Sequence, residues 1–92
     1  MKVVINRCFG GYSLSNKAVE WLEAKGVSDA GPYAFHYDRS NPLLVECVET
    51  LGRAAEGRSA SLAIIEIPDN VLWDVEEYDG RERVTERHRV WC

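Results

Sequence analysis

The chain has 92 residues, of which 46% are hydrophobic and 28% are charged, and this predicts one small globular domain over residues 1–92. No apolar run approaches the roughly 18 residues of a membrane span, and the first residues lack the cleavage site of a secretory signal, so we expect a cytoplasmic protein that contacts no membrane. The net charge of −4 argues against general nucleic-acid binding, which needs a basic surface.

A strand followed by a helix is predicted at the start of the chain. The apolar run at residues 3–5 indicates a strand over residues 2–7 that is buried on both faces. Ser15 is a favourable N-cap, and apolar residues at helical spacing predict a helix over residues 16–25 that ends at Gly26.

The segment after this helix allows two interpretations. Residues 33–37 alternate aromatic with small or polar side chains, which suits either a short strand or an aromatic-rich loop. A second helix begins after Asn41, a favourable cap, with Pro42 in its first position. It ends either at Gly52 or, if it is longer, just before Gly57.

The second half of the chain changes from helical to strand periodicity. A strand over residues 62–67 is followed by a hairpin of residues 71–78 and 81–91, because Asp79-Gly80 is a preferred two-residue turn. The predicted fold class is α+β: two helices packed on one face of a small, mostly antiparallel β-sheet, with a C-terminal hairpin turning at Asp79-Gly80.

The register of this hairpin places several arginines on one face. The turn pairs Glu76 with Arg83, and it places Arg81, Arg83, Arg87 and Arg89 on the same side. Arg83 and Arg81 have acidic neighbours in this register, whereas Arg87 and Arg89 have none. The face is therefore either a solvated surface with cross-strand ion pairs or an anion-binding site.

The sequence carries no motif that is typical of catalysis, of a metal site or of a cofactor. His36 and His88 lack metal-ligand spacing, and Cys8, Cys47 and Cys92 are too far apart for a zinc site. We therefore expect reduced thiols, no metal, no cofactor and a protein that is not an enzyme. A small hydrolase that works through Cys8 or His88 is a weaker alternative.

A pair of glycines, Gly10-Gly11, separates the first strand from the first helix. At least one of the two is expected to adopt a backbone conformation closed to L-residues. The pair is interpreted either as a tight turn or as a loop that presents backbone N–H groups to an anionic ligand ahead of a helix.

Two distinctive patterns lie at the ends of the chain. The first is KVVINRCFGGYSLS, residues 2–15, and the second is WxVEEYDG followed by ExHRxW, from Trp73 to Trp91. In both patterns the chain resembles a family of small, uncharacterised phage and prophage proteins. The hairpin of that family reads D-G-x-E-W-V, so Arg83 stands here in the aromatic position. A stacking role is therefore not expected at Arg83.

The resemblance implies a setting in which small phage proteins counter host defence. By analogy with proteins that sequester nucleotide signals, we expect a non-catalytic homo-oligomer that binds a nucleotide-like anionic small molecule in the cytoplasm of an infected bacterium. The candidate ligand-binding residues offer aromatic faces, cations or backbone N–H groups: Arg7, Phe9, Gly10, Gly11, Tyr12, Arg87, His88, Arg89 and Trp91. Further stacking and phosphate candidates are Tyr33, Phe35, Tyr37 and Arg39.

A second hypothesis concerns a protein partner. The strand over residues 71–78 is acidic, and it could imitate the acidic surface of another protein. In this alternative the chain is a protein-binding inhibitor or adaptor that covers a host defence protein.

Overall fold

Two helices and two small antiparallel sheets make up residues 1–86, the part of the chain that the structure, a computed structural model, describes. The elements in chain order are β1 (Lys2–Asn6), α1 (Asn16–Ala24), α2 (Pro42–Leu51), a 3₁₀ helix (Gly52–Ala55), β2 (Leu62–Glu66), β3 (Trp73–Tyr78) and β4 (Arg81–Glu86). The predicted α+β class is confirmed, and the strands are divided between a β1–β2 sheet and a β3–β4 hairpin. The expected continuation of the last strand to residue 91 lies outside the described residues.

Both helices begin at the predicted caps. The Ser15 hydroxyl accepts a hydrogen bond from the Ala18 N–H, and the Asn41 side chain accepts one from the Leu43 N–H. Such bonds satisfy amide groups that have no partner within the helix. α2 ends at Gly52, whose φ of 57° is easily adopted by glycine, so the shorter of the two predicted helices is the correct one.

The core lies between the two helices and one face of the β1–β2 sheet. Leu22 of α1 and Leu44 and Cys47 of α2 are fully buried against Val4 of β1. Ile64, the β2 partner of Val4, packs against the same cluster. The helices therefore cover one face of this sheet, as the helical spacing of their apolar residues predicts.

Residues 33–37 form consecutive turns, so the loop interpretation is correct. Backbone hydrogen bonds between residues three apart follow one another from residue 31 to residue 38. The turns leave Tyr33 and Tyr37 exposed, at 68% and 98%. This segment therefore presents aromatic rings on the surface.

The β3–β4 hairpin has the predicted turn and register. Asp79 and Gly80 have φ values of 52° and 88°, as a two-residue turn of this kind requires, and Glu76 lies opposite Arg83. Within residues 1–86, no backbone–backbone hydrogen bond joins the hairpin to the rest of the chain. Its position therefore depends on side chains.

Candidate functional site

A buried ion pair attaches the hairpin to the rest of the protein. Arg39 precedes α2 and Glu82 is the second residue of β4, and both side chains are only 4% exposed. One carboxylate oxygen of Glu82 lies 2.5 Å from Nη1 of Arg39, and the other lies 2.7 Å from Nη2. This bidentate geometry is the strong form of an arginine–carboxylate contact, and it compensates two charges that are costly to bury alone.

The same pair completes the edge of β1 that faces away from β2. The Val4 N–H donates to the backbone oxygen of Arg39 at 2.9 Å, and the Val4 carbonyl accepts from Nη1 at 3.3 Å. The Asn6 N–H donates to Oε1 of Glu82 at 2.8 Å. Arg39 and Glu82 thus occupy the place of a neighbouring strand. They provide hydrogen-bond partners for the buried backbone groups of Val4 and Asn6.

The side chain of Asn6 connects three further segments. Its Nδ2 donates to the carbonyl oxygens of Gly80, at 2.6 Å, and of Cys8, at 2.7 Å. Its Oδ1 accepts from the Ser61 N–H at 2.8 Å. Because Asn6 is fully buried and uses its amide for all three contacts, it positions the hairpin turn relative to the glycine turn and the start of β2.

Both glycines after β1 are required, for different reasons. Gly11 has a φ of 88°, which confirms the expected conformation closed to L-residues. Gly10 lies so close to Ser59 that a Cβ atom would overlap the Ser59 carbonyl group. A Cβ atom at Gly80 would overlap the backbone of Phe9 in the same way. The absence of side chains at these glycines therefore lets the Gly10-Gly11 turn and the hairpin turn at Gly80 pack directly against each other.

A cleft of about 660 Å³ lies between the hairpin and the aromatic turn segment. Four residues of β3 line it, and three of them share one face of the strand: Trp73, Val75 and Glu77, with Asp74 as the fourth. Tyr33 and Tyr37 line it from the turn segment. The cleft therefore has aromatic side chains on two sides.

A group of polar and aromatic side chains in mutual contact borders the cleft beside the Arg39–Glu82 ion pair. The guanidinium of Arg39 lies 3.7 Å from the centre of the Tyr12 ring, and the Tyr12 hydroxyl donates to the Ala34 carbonyl at 2.7 Å. Burial raises the pKa of Tyr12 well above its usual value, so the hydroxyl remains a donor. Nδ1 of His36 is 3.3 Å from Nη2 of Arg39. These contacts hold the Arg39 guanidinium in one orientation.

The structure brings some of the predicted ligand-binding residues together. Gly10, Gly11 and Tyr12 line the cleft. Phe9, 64% exposed, and Arg7, also exposed, are not among the lining residues. The remaining predicted residues lie outside the described part of the chain: Arg87, His88, Arg89 and Trp91.

Sequence reasoning missed the role of Glu82 and assigned Arg39 to phosphate binding, whereas the structure pairs the two side chains. One signal was present. The hairpin register places Glu82 on the same face as Val84, Val75 and Trp73. A carboxylate on an inward, apolar face needs a buried cation as its partner.

The site has the chemistry of a binding cleft. It offers aromatic side chains, carboxylates and a guanidinium that its contacts hold in one orientation. Among residues 1–86 there is no group of three His, Cys, Asp or Glu side chains that could hold a metal ion. No helix in this part of the chain is long and apolar enough to cross a membrane.

The protein is thus an α+β fold in which side chains attach the β3–β4 hairpin, and the cleft beside this hairpin is lined by aromatic rings. Comparisons of the chain with models of protein families, with curated proteins and with solved structures found no match. The functional assignment therefore depends on the cleft itself.

Proposed function

We propose that the protein binds a nucleotide-like anionic small molecule without transforming it, and that the base of this ligand enters the cleft. The observation that carries the proposal is the cleft of about 660 Å³ with Tyr33 and Tyr37 on one side and Trp73 on the other. Small-molecule sites commonly have this size, with aromatic linings and few polar groups. Aromatic side chains stack on nucleobases with little dependence on sequence.

The anionic part of the ligand is assigned to arginines that follow β1 and β4 in the sequence. Arginine is suited to phosphate because its planar group donates two parallel hydrogen bonds. Arg87 and Arg89 are the proposed donors, with His88 and Trp91 beside them in the sequence and Arg7 after β1. Backbone N–H groups of the Gly10-Gly11 turn are a further candidate.

In the setting implied by the sequence resemblance, binding without turnover sequesters a nucleotide signal. A small phage-type protein of this kind counters host defence by lowering the free concentration of the signal. We propose that it acts as a homo-oligomer in the cytoplasm of the infected bacterium, since a chain of 92 residues has little interior to enclose a ligand alone.

Thermal unfolding in the presence of nucleotides tests the proposal. The panel contains cyclic dinucleotides, ADP-ribose and mononucleotides, from micromolar to millimolar concentration. A ligand that binds only the folded state stabilises it by about 2.7 kcal/mol at one hundred times its Kd, which raises the melting temperature. Mass spectrometry of the ligand released from the complex should show the molecule unchanged.

Two tyrosines with similar exposure make a matched comparison. Tyr37→Ala removes a cleft ring that is 98% exposed, so the melting temperature of the free protein should stay near that of the parent while the ligand-induced shift falls. Tyr78→Ala removes a ring that is 76% exposed and lies outside the cleft, and the shift should persist. A shift that is equal in both variants would place the ligand elsewhere.

The protein-binding alternative is supported by exposed hydrophobic side chains on the hairpin and directly before it. Leu72 and Tyr78 are 47% and 76% exposed, and such side chains favour contact with another protein. If no nucleotide of the panel raises the melting temperature, this alternative is favoured. Binding of a host protein that Tyr78→Ala abolishes and Tyr37→Ala retains would support it.

A further inference from the structure

The strand β2 has one paired edge and one open edge. Its inner edge forms the ladder with β1, and just beyond this ladder the Arg7 N–H donates to the Ser61 carbonyl at 2.7 Å. Hydrogen-bonded positions alternate along an antiparallel pair. The backbone groups of residues 63 and 65 therefore face β1, whereas those of residues 62, 64 and 66 face away from it.

Most of the outward backbone groups lack a partner. The Leu62 N–H donates to the Glu56 carboxylate at 2.8 Å. Within residues 1–86, the outward N–H and C=O groups of Ile64 and Glu66 have no hydrogen-bond partner. An open edge of this kind is a template for another strand, and β2, with the sequence LAIIE, carries neither the lysine nor the proline that commonly protects such an edge.

This edge is complementary to a second copy of itself. In an antiparallel pair with a two-fold axis at Ile65, both backbone groups of Ile64 in each copy bond both groups of Glu66 in the other. Every outward group of these two residues then has a partner. The two Ile65 side chains face each other at a non-hydrogen-bonded position, where β-branched side chains pack closely.

Glu56 and the end of β2 favour this register. A shift of the axis by one residue towards the start of β2 would place the second copy's Glu66 opposite Leu62, where the Glu56 carboxylate already holds the N–H. With the axis at Ile65, Leu62 lies opposite Pro68, which follows the end of β2 and has no N–H to pair. The pairing therefore ends on each side without displacing an existing contact.

The end at which β2 begins is basic in the described part of the chain. Arg7 lies opposite Ser61, and Arg58 lies in the turn before the strand. Both arginines are exposed, and neither has an ion-pair partner within residues 1–86. The nearby carboxylate of Glu56 is held by the Leu62 N–H.

The end at which β2 stops has the opposite character. Lys2 pairs there with Glu49, and Asp69 pairs with the amino group of Met1. Glu66 is exposed and has no ion-pair partner within residues 1–86. Antiparallel pairing brings the basic end of each copy to the acidic end of the other, whereas parallel pairing would bring like charges together.

We propose that the open edge of β2 pairs with the same edge of a second copy of this chain, antiparallel and about a two-fold axis at Ile65, to form a continuous sheet in the order β1–β2–β2–β1. This inference rests on the homo-oligomer of the proposed function and names its contact surface. Sheets of only two strands are marginal, and the pairing places β2 inside a wider sheet. A contact along one short edge buries little surface, so the dimer should be weak, in the micromolar range or above.

Hydrogen exchange of single amides tests the pairing without any substitution. The ¹⁵N-labelled full chain is followed by NMR at micromolar and at millimolar concentration. Exchange of the Ile64 and Glu66 amides should become at least about tenfold slower at the higher concentration. Exchange at Leu62, whose N–H is bound by Glu56, and at Ile65, whose N–H faces β1, should change much less. Sedimentation over the same range should show monomer converting to dimer.

Two substitutions of Glu66 provide a matched pair of variants. Glu66→Pro removes the outward N–H and places a ring at the edge, but it spares the ladder with β1 because this N–H faces away from β1. It should weaken the dimer by at least about tenfold. Glu66→Gln removes the same charge and keeps the N–H, so it should weaken the dimer much less. If Glu66→Pro does not fold, the exchange of the parent chain still decides the question.

The outcomes separate this inference from the proposed function. A chain that stays monomeric at millimolar concentration would overturn the second copy as the occupant of the edge, and nucleotide binding by that monomer would leave the binding function in place. A dimer without slower exchange at Ile64 and Glu66, or one that Glu66→Pro leaves intact, would also overturn the inference, because the copies then meet at another surface. Slower exchange at these two amides without any nucleotide-induced thermal shift would support the inference and refute the proposed function.

Discussion

Replacing Glu82 by glutamine should lower the free energy of unfolding by about 3–5 kcal/mol, because it leaves a buried guanidinium without its counter-charge. The Glu82 carboxylate accepts the Asn6 N–H and two N–H groups of Arg39. The glutamine oxygen can still accept the two bonds made by Oε1. Its amide nitrogen, however, would point N–H groups at Nη2 of Arg39, so a donor would face a donor.

The magnitude follows from these contacts. Loss of one charge-assisted hydrogen bond accounts for about 1.5–3 kcal/mol, and the uncompensated charge of Arg39 accounts for the remainder. Small proteins are stabilised by only about 5–15 kcal/mol, so the change is a large fraction of the total. Isolated two-stranded hairpins are marginal in water, and the hairpin should therefore loosen before the core around Leu22 and Leu44.

Urea unfolding and hydrogen exchange measured by mass spectrometry check this prediction. The control is Glu76→Gln, which breaks the exposed contact with Arg83 on the same hairpin and should cost about 0–1 kcal/mol. The double variant Arg39→Met with Glu82→Leu removes both charges, and its loss should be smaller than the sum of the two single losses. Exchange should rise first in β3 and β4 of Glu82→Gln.

A urea midpoint for Glu82→Gln equal to that of Glu76→Gln, with parent-like exchange in the hairpin, would refute the reasoning. It would mean that the hairpin is held by contacts other than this ion pair.

Three further outcomes are expected. Asn6→Ala should lower the unfolding free energy by about 2–4 kcal/mol in urea, since it leaves partly buried backbone groups of Gly80 and Ser61 without partners. A change below about 1 kcal/mol would contradict this role of Asn6. Gly11→Ala should lower the unfolding free energy by about 1–2 kcal/mol, because Gly11 has a positive φ. Gly10→Ala should lower it further, because the new Cβ atom overlaps Ser59. Equal melting temperatures of the two variants would contradict this order. Burial raises the pKa of the Cys47 thiol from 9.0 to about 11, so between pH 9 and 11 the unfolded chain loses this proton while the folded protein keeps it. Stability in urea should fall between pH 9 and 11, and less steeply in Cys47→Ala.

The sequence by itself determined the features whose partners are close along the chain. Ser15 and Asn41 cap their helices because the amides that they bind are three and two residues away. Asp79-Gly80 sets the hairpin register because a two-residue turn leaves little choice of pairing. Local geometry decides these contacts, so patterns of residues are sufficient to predict them.

The tertiary structure alone decided the attachment of the hairpin and the formation of the cleft. Glu82 meets Arg39 across 43 residues of chain and the Asn6 backbone across 76 residues. An arginine that is free for phosphate and an arginine that is paired with a buried glutamate have the same pattern in sequence. The difference arises only when packing removes both groups from water, because burial makes an unpaired charge costly and so selects this partner.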